Sequence, residues 1–120
     1  MTYARQALGA DGEDTACRAL AERGYRVLAR RYRTRFGEID VVARQGDWIV
    51  FVEVKTRRDG SFGDPAAAVT AEKQRRITLM AADYLARHRL ERAPARFDVV
   101  GIVLTPWRVD VFVDAFRPGW

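Results

Sequence analysis

Residues 38–55 read Glu38-Ile39-Asp40-Val41-Val42-Ala43-Arg44-Gln45-Gly46-Asp47-Trp48-Ile49-Val50-Phe51-Val52-Glu53-Val54-Lys55. The stretch is rich in β-branched and aromatic residues, and Gly46-Asp47 fits a two-residue type II′ loop with glycine first. That loop sets Gln45 opposite Trp48 and carries the register outward: Val41 faces Val52, Asp40 faces Glu53, Ile39 faces Val54 and Glu38 faces Lys55. Strand side chains alternate. Glu38, Asp40, Glu53 and Lys55 are therefore expected on one face, with Ile39, Val41, Val52 and Val54 on the other. Directly opposed carboxylates destabilise a strand pair by up to about 1 kcal/mol. A hard divalent cation between them would compensate, and Lys55 would sit at its edge. The plainer reading is a solvated sheet face with a Glu38–Lys55 ion pair.

Outward from the hairpin, Asp11 to Arg23 has helical spacing, with Ala16, Cys17, Leu20 and Ala21 on one face and Gly24 as its stop. Tyr25 to Arg33 reads as a strand, and the hairpin arms run from about Phe36 to Arg44 and Asp47 to Thr56. Arg57 to Gly63 is a polar loop. Asp64-Pro65 caps and opens a short helix near Ala66 to Val69. Thr70 caps a longer helix, about Ala71 to Arg89. Two strands close the chain, Arg96 to Leu104 and Arg108 to Ala115. The order α-β-β-β-α-β-β predicts a single α/β domain over residues 1–120, a mixed sheet flanked by helices.

At about 100° per residue, Glu13 falls near the centre of the stripe Ala16, Cys17, Leu20, and Lys73 at the centre of Ile77, Met80, Ala81, Tyr84. A charge on a buried face needs a partner or a metal. Both residues sit in a first helical turn, so they either reach past the core edge into water or converge on the acidic end of the hairpin. Of 21 basic residues only Lys55 and Lys73 are lysine. A chain that otherwise writes arginine keeps a compact, titratable ammonium in those places. One cysteine, Cys17, and one histidine, His88, leave too few soft ligands for zinc, so a metal here has oxygen ligands.

The formal net charge of +5 and pI near 10.0 suit a polyanionic partner. No apolar run is long enough to span a membrane, and Met1 to Gln6 leads into no hydrophobic signal segment, so a cytoplasmic protein is expected. His88, near a helix end, reads as a cation at the dipole's negative pole.

An acid near the end of one strand followed by Glu-x-Lys on the next, here Asp40 and Glu53-Val54-Lys55, resembles the PD-(D/E)xK nuclease superfamily. The element order is similar to that superfamily's restriction-endonuclease-like core and to the archaeal Holliday-junction resolvases within it. More closely, Gly12-Glu13, Gly37-Glu38-Ile39-Asp40, Phe51 to Arg57, Lys73 and Arg96-Phe97-Asp98-Val99-Val100 together resemble the YraN family of small bacterial proteins. The resemblance implies that Asp40, Glu53 and the Val54 carbonyl hold Mg²⁺ or Mn²⁺, with Glu13 joining directly or through water. It makes Lys55 the residue that orients or deprotonates the attacking water, with Lys73 anchoring a nearby phosphate. Arg57, Arg58, Arg75 and Arg76 are the expected contacts to a nucleic-acid backbone. Glu38 and Asp98 are placed outside the metal shell, Asp98 alternatively on the polar face of a strand.

The function expected is a metal-dependent endonuclease acting on structured, branched or single-stranded DNA, with DNA preferred over RNA and a homodimer possible for junctions. The alternatives are a non-catalytic nucleic-acid-binding module on a nuclease-like scaffold and an adaptor for an acidic protein.

Overall fold

The computed structural model describes residues 10–60, 63 and 65–117. Helix α1 (Ala10–Glu22) is followed by strands β1 (Arg26–Thr34), β2 (Gly37–Gln45) and β3 (Trp48–Asp59), a 3₁₀ turn (Pro65–Ala68), helix α2 (Ala71–Arg87), and strands β4 (Ala95–Thr105) and β5 (Trp107–Phe116). The expected element order holds, with boundaries within a few residues. Asp64, expected to cap the 3₁₀ turn, lies outside the described residues.

The five strands form one sheet in the order β1-β2-β3-β4-β5. All neighbours are antiparallel except β3 and β4, which run parallel and are joined across the sheet by α2. A helix covers each face. On one side Ile77, Met80, Ala81, Tyr84 and Leu85 of α2 pack on Val42, Phe51, Phe97 and Val99; on the other, Ala16 and Leu20 of α1 pack on Val41, Val50, Val52, Val100 and Ile102. Full burial of each valine, leucine, isoleucine, phenylalanine or methionine among them stabilises the fold by about 1.5–3 kcal/mol, so the sheet's two apolar faces hold both helices in place.

Each helix ends for a local reason. After α1, Gly24 at φ 88° lets its own N–H reach the Ala21 carbonyl and the Tyr25 N–H reach Leu20, at 3.1 and 3.0 Å, a Schellman stop. Helix α2 closes in the same way through Arg89 and Leu90, but with arginine rather than glycine in the left-handed position, φ 57°. Thr70 begins α2 as expected, its hydroxyl accepting the Lys73 N–H at 3.1 Å.

Gly46-Asp47 makes the hairpin turn, Gly46 at φ 59°, and the ladder runs from Gln45 opposite Trp48 to Val41 opposite Val52 in the expected register. The strict alternation expected beyond it is not kept. Opposite this point Arg31 of β1, at φ 52°, interrupts the pleat between Arg30, which faces Val41, and Tyr32, which faces Ile39. Ile39 consequently packs with Ile77 and Met80 of α2, while Val41 packs with the α1 side. A bulge-like residue re-aims the side chains on either side of it. From here β2 stays paired with β1 as far as Gly37, and β3 stays paired with β4 as far as Asp59. The strands β2 and β3 thus open like a fork, with Asp40 and Glu53 in its crotch.

Candidate active site at the fork between β2 and β3

Past the last ladder pair the Val54 N–H would lack its strand partner, and Asp40 supplies one: its Oδ2 accepts that N–H at 2.8 Å. Glu53 projects beside it, its side chain only 7% exposed, close enough for the Asp40 charge to act on it. Two carboxylates this close disfavour double ionisation. Burial, then the Asp40 carboxylate beside it, raise the Glu53 carboxyl from 4.5 to about 7, while the Lys73 and Lys55 charges pull it down. Lys73 Nζ stands 3.5 Å and Lys55 Nζ 3.8 Å from Glu53 Oε2. The lysine side chains are 32% and 38% exposed, so the site opens to solvent on their side.

The structure therefore brings together Asp40, Glu53, Val54, Lys55 and Lys73 from β2, β3 and the first turn of α2. The expected opposition of Asp40 and Glu53 is met by side chains rather than through a continued ladder. A hard cation between the pair would offset their repulsion, and both carboxylates and the Val54 carbonyl offer oxygen donors. Mg²⁺ needs no more than one or two carboxylates when waters and substrate phosphate complete its shell, so these residues fit such an ion. Among the described residues no three of His, Cys, Asp or Glu gather as a metal-binding group.

Glu13 is not brought to the pair. Both its oxygens lie 3.1 Å from Arg31 Nε, and Arg30 is 3.7 Å away. The helical wheel places Glu13 on the apolar side; the arginines of β1, where that strand breaks its pleat, turn it into an ion-pair cluster. Glu38 pairs with Arg33 at 2.7 Å, its neighbour across β1–β2, and not with Lys55; the register expected for it runs past the fork. Arg57 and Arg58 lie on the outer part of β3, and Arg75 and Arg76 just after Lys73 on α2.

Asp98 is neither beside the metal shell nor on a polar face. It is fully buried, accepting from the Tyr25 hydroxyl at 2.7 Å, from Arg96 Nε at 3.1 Å and from the Asp114 N–H at 2.9 Å. Arg96 also donates to the Gln45 side chain and lies over Trp48. Burial and the bond to Asp98 push the Tyr25 hydroxyl up to about 12. This network ties β4 to the α1–β1 turn and to β5, and Asp98 serves the fold. The i, i+2 spacing of Arg96 and Asp98 is its only local signal; Tyr25 lies 73 residues from Asp98.

The sequence pattern of "Uncharacterised protein family UPF0102" matches residues 12–102, which span the whole fork. A UPF0102 protein of Rhodococcus opacus (strain B4) is 52% identical over 98 residues, covering 82% of this chain and 83% of its own length. One from Syntrophus aciditrophicus (strain SB) is 50% identical over 108 residues, 88% and 85% respectively. Another, from Geobacter metallireducens, is 48% identical over 105 residues, 88% and 86%.

Proposed function

This chain belongs to UPF0102, the YraN-like family that its motifs resemble, and we propose that it is a metal-dependent nuclease hydrolysing phosphodiester bonds in structured, branched or single-stranded DNA. The observation that carries the reading is buried Glu53, set beside Asp40 and flanked by the chain's only two lysines, Lys55 and Lys73. An acid pair costs stability where it stands, and perturbed carboxyls with specific charge partners mark functional sites. The α-β-β-β-α-β-β order and the acid followed by Glu-x-Lys support a restriction-endonuclease-like ancestry, with the archaeal resolvases as its nearest analogy.

Asp40, Glu53 and the Val54 carbonyl would hold Mg²⁺ or Mn²⁺, which when bound polarises the scissile phosphate and acidifies a coordinated water. Lys55 lies on the open side of Glu53, where its ammonium orients the attacking water and offsets negative charge developing on the phosphate. Lys73, its backbone N–H held by the Thr70 cap, pulls the Glu53 carboxyl down toward its ionised form and meets the next phosphate. Asp40 also sets the geometry, because by accepting the Val54 N–H it holds the fork at a fixed width. Arg57, Arg58, Arg75 and Arg76 position the backbone without reading sequence. A cytoplasmic location and a homodimer on branched substrates accompany this reading.

The second reading, a non-catalytic nucleic-acid-binding module, is favoured by one observation: Glu13 is engaged by Arg31 and adds no third carboxylate. Titration with Mn²⁺ separates the two. The nuclease reading expects Mn²⁺ to bind the wild type with proton release near neutral pH and to bind neither Asp40→Asn nor Glu53→Gln. Equal Mn²⁺ binding by all three proteins would remove the metal site and leave the binding module.

A further inference from the structure

A second like-charge pair stands at the far end of β2. Arg26 and Arg44 are directly opposite each other across β1 and β2, so their side chains share a face, and both are exposed. Neither forms an ion pair among the described residues, whereas Arg30, Arg31, Arg33, Arg87, Arg96, Arg108 and Arg117 each meet a carboxylate. Opposed like charges destabilise a strand pair, and no carboxylate among the described residues offsets these.

Their face is the one α2 covers. Arg44 alternates with Val42, which packs against α2, and its charge acts on the hydroxyl of Tyr84. Tyr84 in turn stacks on exposed His88, ring centroids 4.1 Å apart, at the C-terminal cap of α2. The N-terminal turn of the same helix holds Lys73 against Glu53. The helix therefore marks out two anion-seeking stations on one face, roughly 22 Å apart from Lys73 to His88 at about 1.5 Å per residue.

We infer that Arg26 and Arg44, with His88 beside them, form a distal phosphate-binding station that holds the backbone of the nucleic acid whose scissile bond lies at the fork. The inference rests on the proposed nuclease reading for its substrate but concerns binding alone. At about 3.4 Å per step along a strand, the separation corresponds to about six or seven nucleotide steps. Guanidinium groups hold phosphate in a bidentate fork, and the exposed arginine Arg76 lies one turn beyond Lys73 along the way. The charge of the patch and the polyanion-seeking net charge of +5 agree in sign.

The test is fluorescence anisotropy with a labelled duplex of about 20 base pairs in EDTA, so that cleavage plays no part, across a range of salt. The Arg26→Ala/Arg44→Ala protein is expected to bind at least about tenfold more weakly than wild type at about 0.1 M salt, with the slope of log K against log salt reduced by about 1.8, two phosphate contacts. Arg18→Ala/Arg92→Ala removes equal charge elsewhere and is expected to change the slope little. Equal losses in the two double variants reduce the effect to net charge and overturn the station; so does unchanged binding in Arg26→Ala/Arg44→Ala. Displacement of the DNA by polyglutamate at equal charge, equally in wild type and variant, also overturns it and points to an acidic protein. A wild type that binds through the station yet never cuts with Mn²⁺ leaves the station standing and removes the nuclease reading.

Discussion

Replacing Glu53 by glutamine should stabilise the metal-free protein, and by an amount that depends on pH. In the folded chain the Glu53 proton is held to about pH 7 against an ordinary 4.5, so the folded state binds more protons than the unfolded state between those values. Stability then falls as pH rises through that window, and the whole penalty is present above about pH 7. At about 1.36 kcal/mol per tenfold change in proton affinity, the penalty comes to about 3 kcal/mol. Glutamine keeps the shape but cannot ionise. Urea unfolding in EDTA should give equal stabilities for wild type and Glu53→Gln near pH 4.5, and a gap of about 3 kcal/mol in the variant's favour near pH 8.5, roughly 10 °C in Tm for a chain of this size. Saturating Mn²⁺ should close the gap from the wild-type side, since a ligand at about a hundred times its Kd adds about 2.7 kcal/mol. A variant less stable than wild type by the same amount at every pH would sink this explanation: Glu53 would then be ionised throughout, neutralised by its lysines.

Lys73→Ala removes a charge that pulls the Glu53 carboxyl down, so the pH at which Mn²⁺ binding reaches half its limit should move upward; a downward move would contradict the placement of Lys73. Asp98→Asn breaks the ion pair of fully buried Asp98 with Arg96 and should cost about 3–5 kcal/mol in urea unfolding, while the pH-dependent gap at Glu53 persists; a cost below about 1 kcal/mol would mean that the network is not structural. Arg89→Gly relieves the left-handed residue that ends α2 and should raise stability by about 0.5–1 kcal/mol. A lower Tm in that variant would show that the Arg89 side chain does more than cap.

The parts of the fold legible along the chain are those set by local chemistry. Gly46-Asp47 fixes the hairpin register, Thr70 the start of α2, and Gly24 the end of α1, because each acts through backbone geometry within a few residues. The meeting of Asp40 with Glu53 follows from that register. The fork itself does not, because it depends on Arg31 taking a left-handed conformation on the neighbouring strand, which no glycine or asparagine announces. For the same reason the helical wheel, which rightly puts Glu13 on the face that meets the sheet, does not give its partners: Arg30 and Arg31 belong to a strand whose pleat is broken where they stand. Helical spacing carries α2 two residues past its end at Arg87, since arginine holds the place glycine usually takes. Alternation puts Asp98 on a polar face or near the metal, yet Tyr25 and Arg96 bury it from elements brought together only by the fold.

Whether the fork between β2 and β3 carries out metal-dependent phosphodiester cleavage can be read from a single assay. End-labelled single-stranded, duplex, flap and four-way-junction DNA, and hairpin RNA, are incubated with wild type and Lys55→Ala in Mg²⁺, Mn²⁺ or EDTA. Wild type should cut at least one DNA structure, the cutting should need the metal, and it should disappear in Lys55→Ala while binding in EDTA is retained. Wild type that binds these substrates and cuts none with either metal, or cutting that survives Lys55→Ala unchanged, would contradict a nuclease site at the fork.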